Sequence, residues 1–439
     1  MVFKSKRALR IHRRNLALLA VVEAFWGLGF PLINGVFIAP PFLRSLGASP
    51  QLIGTISGAT FFLILICQTF SGYLTGHLRL KRNFITIMHA AAPTPFLLFG
   101  LYMYFMFPGM ERAGEAIAFY IVTCILWGLL LGILVPAWVN FVGKVVIREK
   151  RGESLGTMFL LQNILAVGGF LIAREVLGSE LSFAHRYGLL YGGAGLLLVT
   201  GNLPFLWVIE HRQKHVERSS SIAVHFRRMF GILRENPPFR TYVLLKAMSL
   251  SSFVLGAYMA VFYQDVFGFD ETWIATMGVA MAPVQGFSAF FGGMAGDKFG
   301  YRKILIATAT MGGIGLLSMA FAPAGWVFFV TATCLAFFMG AEFQAHAAIT
   351  MRFNPGDDNT DYLSLAAFFN APVVLVLPVV IGWLVGLLGY RPALGIAAAI
   401  PLVAALLIYR LVREPDRDEP VERGAPVTVE AVAPVHSSD

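Results

Sequence analysis

Charge is scarce in this sequence. Asp, Glu, Lys and Arg make up 13% of its 439 residues, about half the share found in an ordinary soluble protein. That argues against a water-soluble fold of this length. Cysteine is scarcer still. Cys67, Cys124 and Cys334 show no paired spacing, which speaks against a disulfide framework or a zinc site. The phosphate-cradling glycine loop ending in Gly-Lys-Ser/Thr is missing, and no polar segment is long enough to form a nucleotide-hydrolysing domain, so an ATP-driven pump is not expected. No acids, histidines and nucleophiles cluster at one level of the chain, as an enzyme acting on lipid would need. "HRQKH" (His211 to His215) has ligand-like spacing, but Arg212 and Lys214 would repel a cation. No cofactor and no metal are expected. The basic leader and first apolar run lack a small-residue cleavage site, which favours an uncleaved first span over a signal peptide.

Apolar sequence is abundant. Hydrophobic residues make up 57% of the chain, with 39 Phe. Runs of about 20 apolar residues, the length that crosses a bilayer as a helix, recur from end to end. Only helices and closed barrels satisfy their own backbone in lipid. The expected fold is therefore an all-α polytopic membrane protein with twelve transmembrane helices. They lie near 16–42, 50–75, 83–107, 116–143, 154–174, 187–209, 241–265, 271–296, 302–322, 326–350, 362–387 and 391–411. This gives a tail (1–15), a six-helix half (16–210), a linker (211–240), a second half (241–411) and a disordered tail (412–439).

Lys and Arg set the orientation. With the N-terminus placed inside, 28 of the 34 fall in inner segments and five in outer loops, with Lys246 inside a span. Both termini are expected to be cytoplasmic, in a bacterial inner (plasma) membrane. The net charge of +9 is spread over these turns, so it marks topology and not a nucleic-acid partner.

The chain also repeats itself. At an offset of 221 residues, Gly47 meets Gly268, Ile53 meets Ile274, Thr55 meets Thr276 and Phe70 meets Phe291. Gly72 then meets Gly293, Lys81 meets Arg302 and Arg82 meets Lys303. Each segment opens with a helix start, Ser49-Pro50 or Asp270-Glu271, and closes with a basic turn. The second span of each half is one unit used twice, so the halves run parallel, a plan common among secondary transporters.

The second copy ends "GGMAGDKFGYRK". Gly293, Asp297, Lys298, Gly300, Arg302 and Lys303 fit a pattern of glycine, acid, base, glycine and paired bases. With twelve spans and a half-repeat, the chain from about residue 16 to 411 resembles the major facilitator superfamily. The resemblance implies a carrier working by alternating access. It also implies a cytoplasmic gate in which Asp297 faces the start of the fifth span, near Arg148, Lys150 and Arg151. The bland alternative pairs Asp297 with bases of its own loop. The first copy departs from the pattern. In "SGYLTGHLRLKRN" Gly72 is kept, but Gly76 stands where Asp297 does, ahead of Arg79, Lys81 and Arg82. The acids of "NPGDDNTDYLSL", Asp357, Asp358 and Asp361, could replace the missing one across the seam or simply cap their own helix. The Gly-Pro signature of drug exporters is absent from the fifth span.

Ionisable residues inside spans are costly and therefore functional candidates. Glu23, His89, Lys246, Glu342 and His346 are such residues, and Asn34 is an uncharged one. The resemblance implies that spans one, four, seven and ten line a central cavity, which places Glu23, Lys246 and Glu342 there. Glu342 and His346 share a helix face and are candidates for carrying a coupling proton. Lys246 could instead neutralise Glu342 or Glu23 as a static pair, or bind an anionic group. Glu23 and Lys246 also lie near the cytoplasmic end, within snorkelling reach of the gate. The linker helix pattern, with Ile222, Phe226, Met229, Phe230 and Leu233 on one face, suits a helix lying on the inner leaflet. The expected function is gradient-driven transport of a small solute by one chain, with a proton as candidate coupling ion. The alternative is a transporter-like receptor or assembly factor that binds without moving solute.

Overall fold

The computed structural model describes residues 6–33, 35–147, 151–212, 221–353 and 360–415. Among them there is helix and turn but no strand. The helices are α1 (Lys6–Gly29), α2 (Ala39–Ser45), α3 (Pro50–Thr75), α4 (Arg82–Ala91), α5 (Thr94–Phe105), α6 (Ala113–Val145), α7 (Arg151–Leu177) and α8 (Phe183–Thr200). After these come α9 (Ile222–Glu235), α10 (Pro237–Ser249), α11 (Ser251–Phe267), α12 (Glu271–Phe299), α13 (Tyr301–Ala320), α14 (Phe328–Arg352), α15 (Thr360–Leu388) and α16 (Tyr390–Leu411). Eleven stretches among the described residues are long and apolar enough to cross a membrane. The seventh expected span supplies the twelfth. It divides into α10 and α11 at Leu250, inside the serine-rich run Ser249–Ser252, so neither piece reaches crossing length alone.

Local chemistry explains the other departures from the expected spans. The third span breaks between α4 and α5 at Ala92-Pro93, because a proline inside a helix removes one hydrogen bond and crowds the preceding turn. The first span starts at Lys6, so the described part of the basic leader forms the first turns of the membrane helix. It ends at Gly29, and Pro40-Pro41 open the separate α2.

The repeated unit has matching structure at its start. Gly47 and Gly268 both adopt positive φ, +85° and +70°. Ser49 then caps α3 by accepting from Leu52 N–H, and Asp270 caps α12 by accepting from Trp273 N–H. Two seams join the halves, α3 against α15 and α7 against α12. At the first seam the backbones touch. A Cβ added to Gly54 would lie 1.6 Å from the Tyr258 hydroxyl and 2.8 Å from the Pro378 carbonyl oxygen.

The linker helix α9 rests in part on the bundle: Met229 is fully buried in a cluster with Phe239, Tyr242, Val243 and Leu365, while Ile222 and Phe230 of the same apolar face stay exposed.

Candidate functional site

Three sets of polar residues stand out. The first lies at the end of the bundle that carries the basic turns. After the sixth span the chain reads Val208-Ile209-Glu210, with Val208 fully buried. The Glu210 carboxylate accepts the backbone N–H groups of Lys81 (2.9 and 3.0 Å) and Arg82 (2.8 Å), at the start of α4. It also receives Lys144 Nζ, from the last turn of α6, at 2.7 Å. The second half repeats this arrangement. After the twelfth span come Val412-Arg413-Glu414, again with a buried valine. Glu414 accepts the N–H groups of Tyr301 and Arg302, at 3.1 Å each, and pairs with Arg352 from the last turn of α14. In each half an acid holds together three chain segments: the start of the third span, the end of the fourth and the end of the sixth. A carboxylate at a helix N-terminus meets both free N–H groups and the positive end of the helix dipole.

The second set lies at the opposite end and joins the halves. Arg44, in α2, meets Asp265, in α11, at 2.9 Å, and Tyr390 donates to the other Asp265 oxygen at 2.7 Å. The hydrogen bond that Arg44 donates to Asp265 holds its guanidinium more firmly protonated. Nearby, Ser45 donates to Glu271 at 2.7 Å and Arg186 lies 3.9 Å from the same carboxylate. Together these contacts tie the two halves at this end.

The third set lies at membrane depth. Lys246 pairs with Glu342, which also accepts from Thr308 and, at 3.4 Å, from Ser249. The pair is nearly sealed, with Lys246 1% and Glu342 3% exposed. Charges removed from water need such partners on every side. His346, one turn along α14, is bonded instead to the Tyr242 hydroxyl. Glu23 differs. It is 5% exposed in α1, beside the apolar Leu19 and Val22 face, and among the described residues no cation or hydrogen-bond donor meets it.

The sequence-derived site residues distribute as follows. Arg79 offers its carbonyl to Lys144 at 2.8 Å, while Lys81 and Arg82 meet Glu210 through their backbone. Asp361 faces His225 of α9 at 3.9 Å. Lys298 lies over the Phe299 ring, Lys303 is exposed on α13, and Arg302 reaches the Tyr409 carbonyl at 2.7 Å. Gly72 and Gly293 lie near the ends of α3 and α12, and Gly300 makes the turn into α13. Asn34, Arg148, Lys150, Asp357 and Asp358 lie outside the described residues, as do the side chains of Asp297 and Arg151. Lys246 and Glu342 are brought together, whereas Glu342 and His346 take separate partners. Motif reading missed Glu210, Glu414, Arg44, Asp265 and Glu271. The recurring Val-x-Glu after each sixth span was the available signal for the first two.

No curated protein matches the chain by sequence. Solved structures do match it in fold. A D-xylose-proton symporter is 15% identical with a TM-score of 0.67, over 92% of this chain and 98% of that one. A bacterial homologue of the human lysosomal transporter Spinster, inward-facing and unoccupied, is 14% identical with a TM-score of 0.68, over 95% and 100%. The nucleoside transporter NupG is 11% identical with a TM-score of 0.65, over 92% and 100%. A model of the Major Facilitator Superfamily matches residues 19–287 and again 272–436. Together these matches cover most of the chain, and the chain belongs to the major facilitator superfamily.

Proposed function

We propose that this membrane transporter couples movement of a small organic solute to a proton, and that Glu23 is the group that takes and releases it. The observation that carries the proposal is the contrast between the two carboxyls at membrane depth. Glu342 is matched by Lys246 and two hydroxyls. Glu23 is equally buried and has no such match among the described residues. An uncompensated charge there is costly. A proton removes that cost while the site is shielded, and water entering the site stabilises the charged form again. Rocking of the halves between two openings supplies that alternation.

In this reading the basic end faces the cytoplasm, as positive-inside bias favours. The Arg44–Asp265 latch closes the outer side, and one chain suffices because both sides of each seam lie within it. The Lys246–Glu342 pair is structural. Trp26, Phe30, Trp138 and Phe343, on or next to spans one, four and ten, favour a solute with an apolar surface. The fold likeness to a symporter named for D-xylose and protons and to a nucleoside transporter supports a small-molecule cargo.

The test uses proteoliposomes loaded with a pH-sensitive dye and challenged with a library of small organic solutes. The expected result is solute-driven proton movement with the natural chain. Glu23→Gln should lose it while still exchanging the same solute. A Glu23→Gln carrier that moves protons normally removes Glu23 from the role. A natural chain on which no solute moves protons removes the coupling.

A further inference from the structure

The helix α1 opens with ten residues, Lys6 to Asn15, that precede its apolar run. Five of them are Lys or Arg and none is Asp or Glu. The stretch is helical throughout and is fastened to the bundle along one side. His12, 3% exposed, accepts the Ile147 N–H at Nδ1, at 3.3 Å. Asn15 is fully buried. It donates to the carbonyls of Val145 and Ile209 and accepts the Ile209 N–H, at 2.9 Å each. Lys6, Arg10 and Arg13 fall within about 60° of one another around the helix, on the face turned away from His12 and Asn15. All three are exposed, and among the described residues no carboxylate pairs with them. With Leu9 they line a recess of about 360 Å³.

The bilayer sets the level of this face. Arg14 donates to the Trp207 carbonyl oxygen at 3.0 Å, and Trp207 is exposed. Tryptophan is enriched at membrane–water interfaces. Arg13, Arg10 and Lys6 stand about 5, 9 and 15 Å beyond Leu16, where the apolar run begins. A headgroup layer is about 5–8 Å deep, and long basic side chains reach back toward it.

We propose that Lys6, Arg10 and Arg13 form a binding site for the phosphate headgroup of an anionic phospholipid, in the leaflet at the basic end. The physical ground is crowded like charge on a fixed support. Arg10 has basic neighbours three or four residues away on both sides, Lys6 and Arg7 before it and Arg13 and Arg14 after it. Such neighbours repel one another on a helix. A phosphate between them replaces repulsion with attraction, and a guanidinium meets phosphate through paired N–H bonds. Topology alone needs basic residues on that side of the membrane. It does not need them on one face of a helix whose other face is fastened. The second half has no such ridge. Over Pro237 to Lys246, where its first span starts, Arg240 is the only exposed base. A bound headgroup fixes the depth of α1, whichever solute is carried and whether or not protons are coupled.

The test mixes the purified chain, in detergent, with equal amounts of phosphatidylglycerol and phosphatidylcholine of matched acyl chains. Native mass spectrometry counts the lipid that stays bound. The natural chain is expected to retain phosphatidylglycerol about fivefold or more over phosphatidylcholine. Lys6→Gln with Arg10→Gln and Arg13→Gln should abolish that preference, and Arg10→Gln alone should lower it by more than half. Arg227→Gln with Arg234→Gln and Arg240→Gln removes the same charge from exposed positions of α9 and α10 and should keep it. Equal retention of the two lipids by the natural chain overturns the proposal. An equal loss in both triple variants does so too, because the attraction would then belong to net charge and not to this face. Displacement of the lipid by inorganic phosphate at millimolar concentration also overturns it, since the site would then hold the free ion.

Discussion

The two copies of the turn between the second and third spans begin alike and end differently. In the first half α3 stops at Thr75 and an irregular stretch leads to α4 at Arg82. In the second half α12 runs on through Asp297 to Phe299, and Gly300 alone turns the chain into α13 at Tyr301. In the ungapped repeat Gly76 stands where Asp297 does, and Arg79 where Gly300 does. The first copy has lost both the acid and the turning glycine, and with them the last turn of its helix. Yet both copies deliver the next helix to the same kind of partner, Glu210 or Glu414. What the halves share is thus the brace beneath the turn, more than the residues of the turn.

At membrane depth the halves diverge. The second half holds an ion pair closed among hydroxyls, and the first holds Glu23, which no cation meets among the described residues. The largest effect that would sharpen this contrast comes from the pair. Lys246→Met leaves Glu342 buried without a cation and is expected to destabilise the protein by about 4 kcal/mol. The double variant Lys246→Met with Glu342→Leu should recover most of that loss, because well-packed apolar residues often replace a buried pair at little cost. Glu23→Leu should leave stability close to that of the natural chain. Thermal denaturation in nanodiscs measures all three. A double variant as weak as the single one would make Glu342 more than a partner of Lys246, and the contrast between the halves would break.

Twelve spans, two parallel halves and the family were legible in the sequence because hydropathy, basic turns and a short motif are local signals. The buried pair was legible only as one of several options, since five ionisable residues inside spans can be matched in more than one way. The braces left only the short Val-x-Glu after each sixth span, which the repeat comparison did not reach. The repeat offset of 221 residues at the second span has drifted to 204 between Glu210 and Glu414, because the connecting loops differ in length, and an ungapped comparison cannot follow it. The latch left a clearer trace. Arg44 and Asp265 are themselves 221 residues apart, so they are equivalent positions of the repeat that carry opposite charges. Equivalent positions of two like halves meet where they lie near the axis relating them. A search for opposite charges at the repeat offset would have found this pair.

The braces invite the next comparison. Glu210 and Glu414 are each almost fully buried, with side chains 2% and 4% exposed. Each satisfies two backbone N–H groups and one cation. Replacing either by Ala should cost about 3 kcal/mol, the range for losing charge-assisted hydrogen bonds at a buried site. The loss is expected to be similar in the two halves, read as a fall in thermal stability with solute binding unchanged. A loss confined to one half would show that only that brace carries structure, and the likeness argued from the paired valines and acids would fail.

The smallest effect tests the turn itself. Gly300 has φ +99° and ψ 139°, a region that side chains rarely enter, so Gly300→Ala should cost about 1–2 kcal/mol through backbone strain. Arg79 is its counterpart in the repeat. Arg79→Ala keeps the carbonyl that Lys144 uses, so the change should stay within about 0.5 kcal/mol. Grafting sharpens the point. Arg79→Gly should not stabilise the first turn, because its helix has already ended at Thr75 and the following segment spreads the bend over several residues. Should Arg79→Gly raise stability by as much as Gly300→Ala lowers it, the two turns would be equivalent after all. The shorter α3 would then reflect side-chain choice at one position, and not a different way of turning the chain.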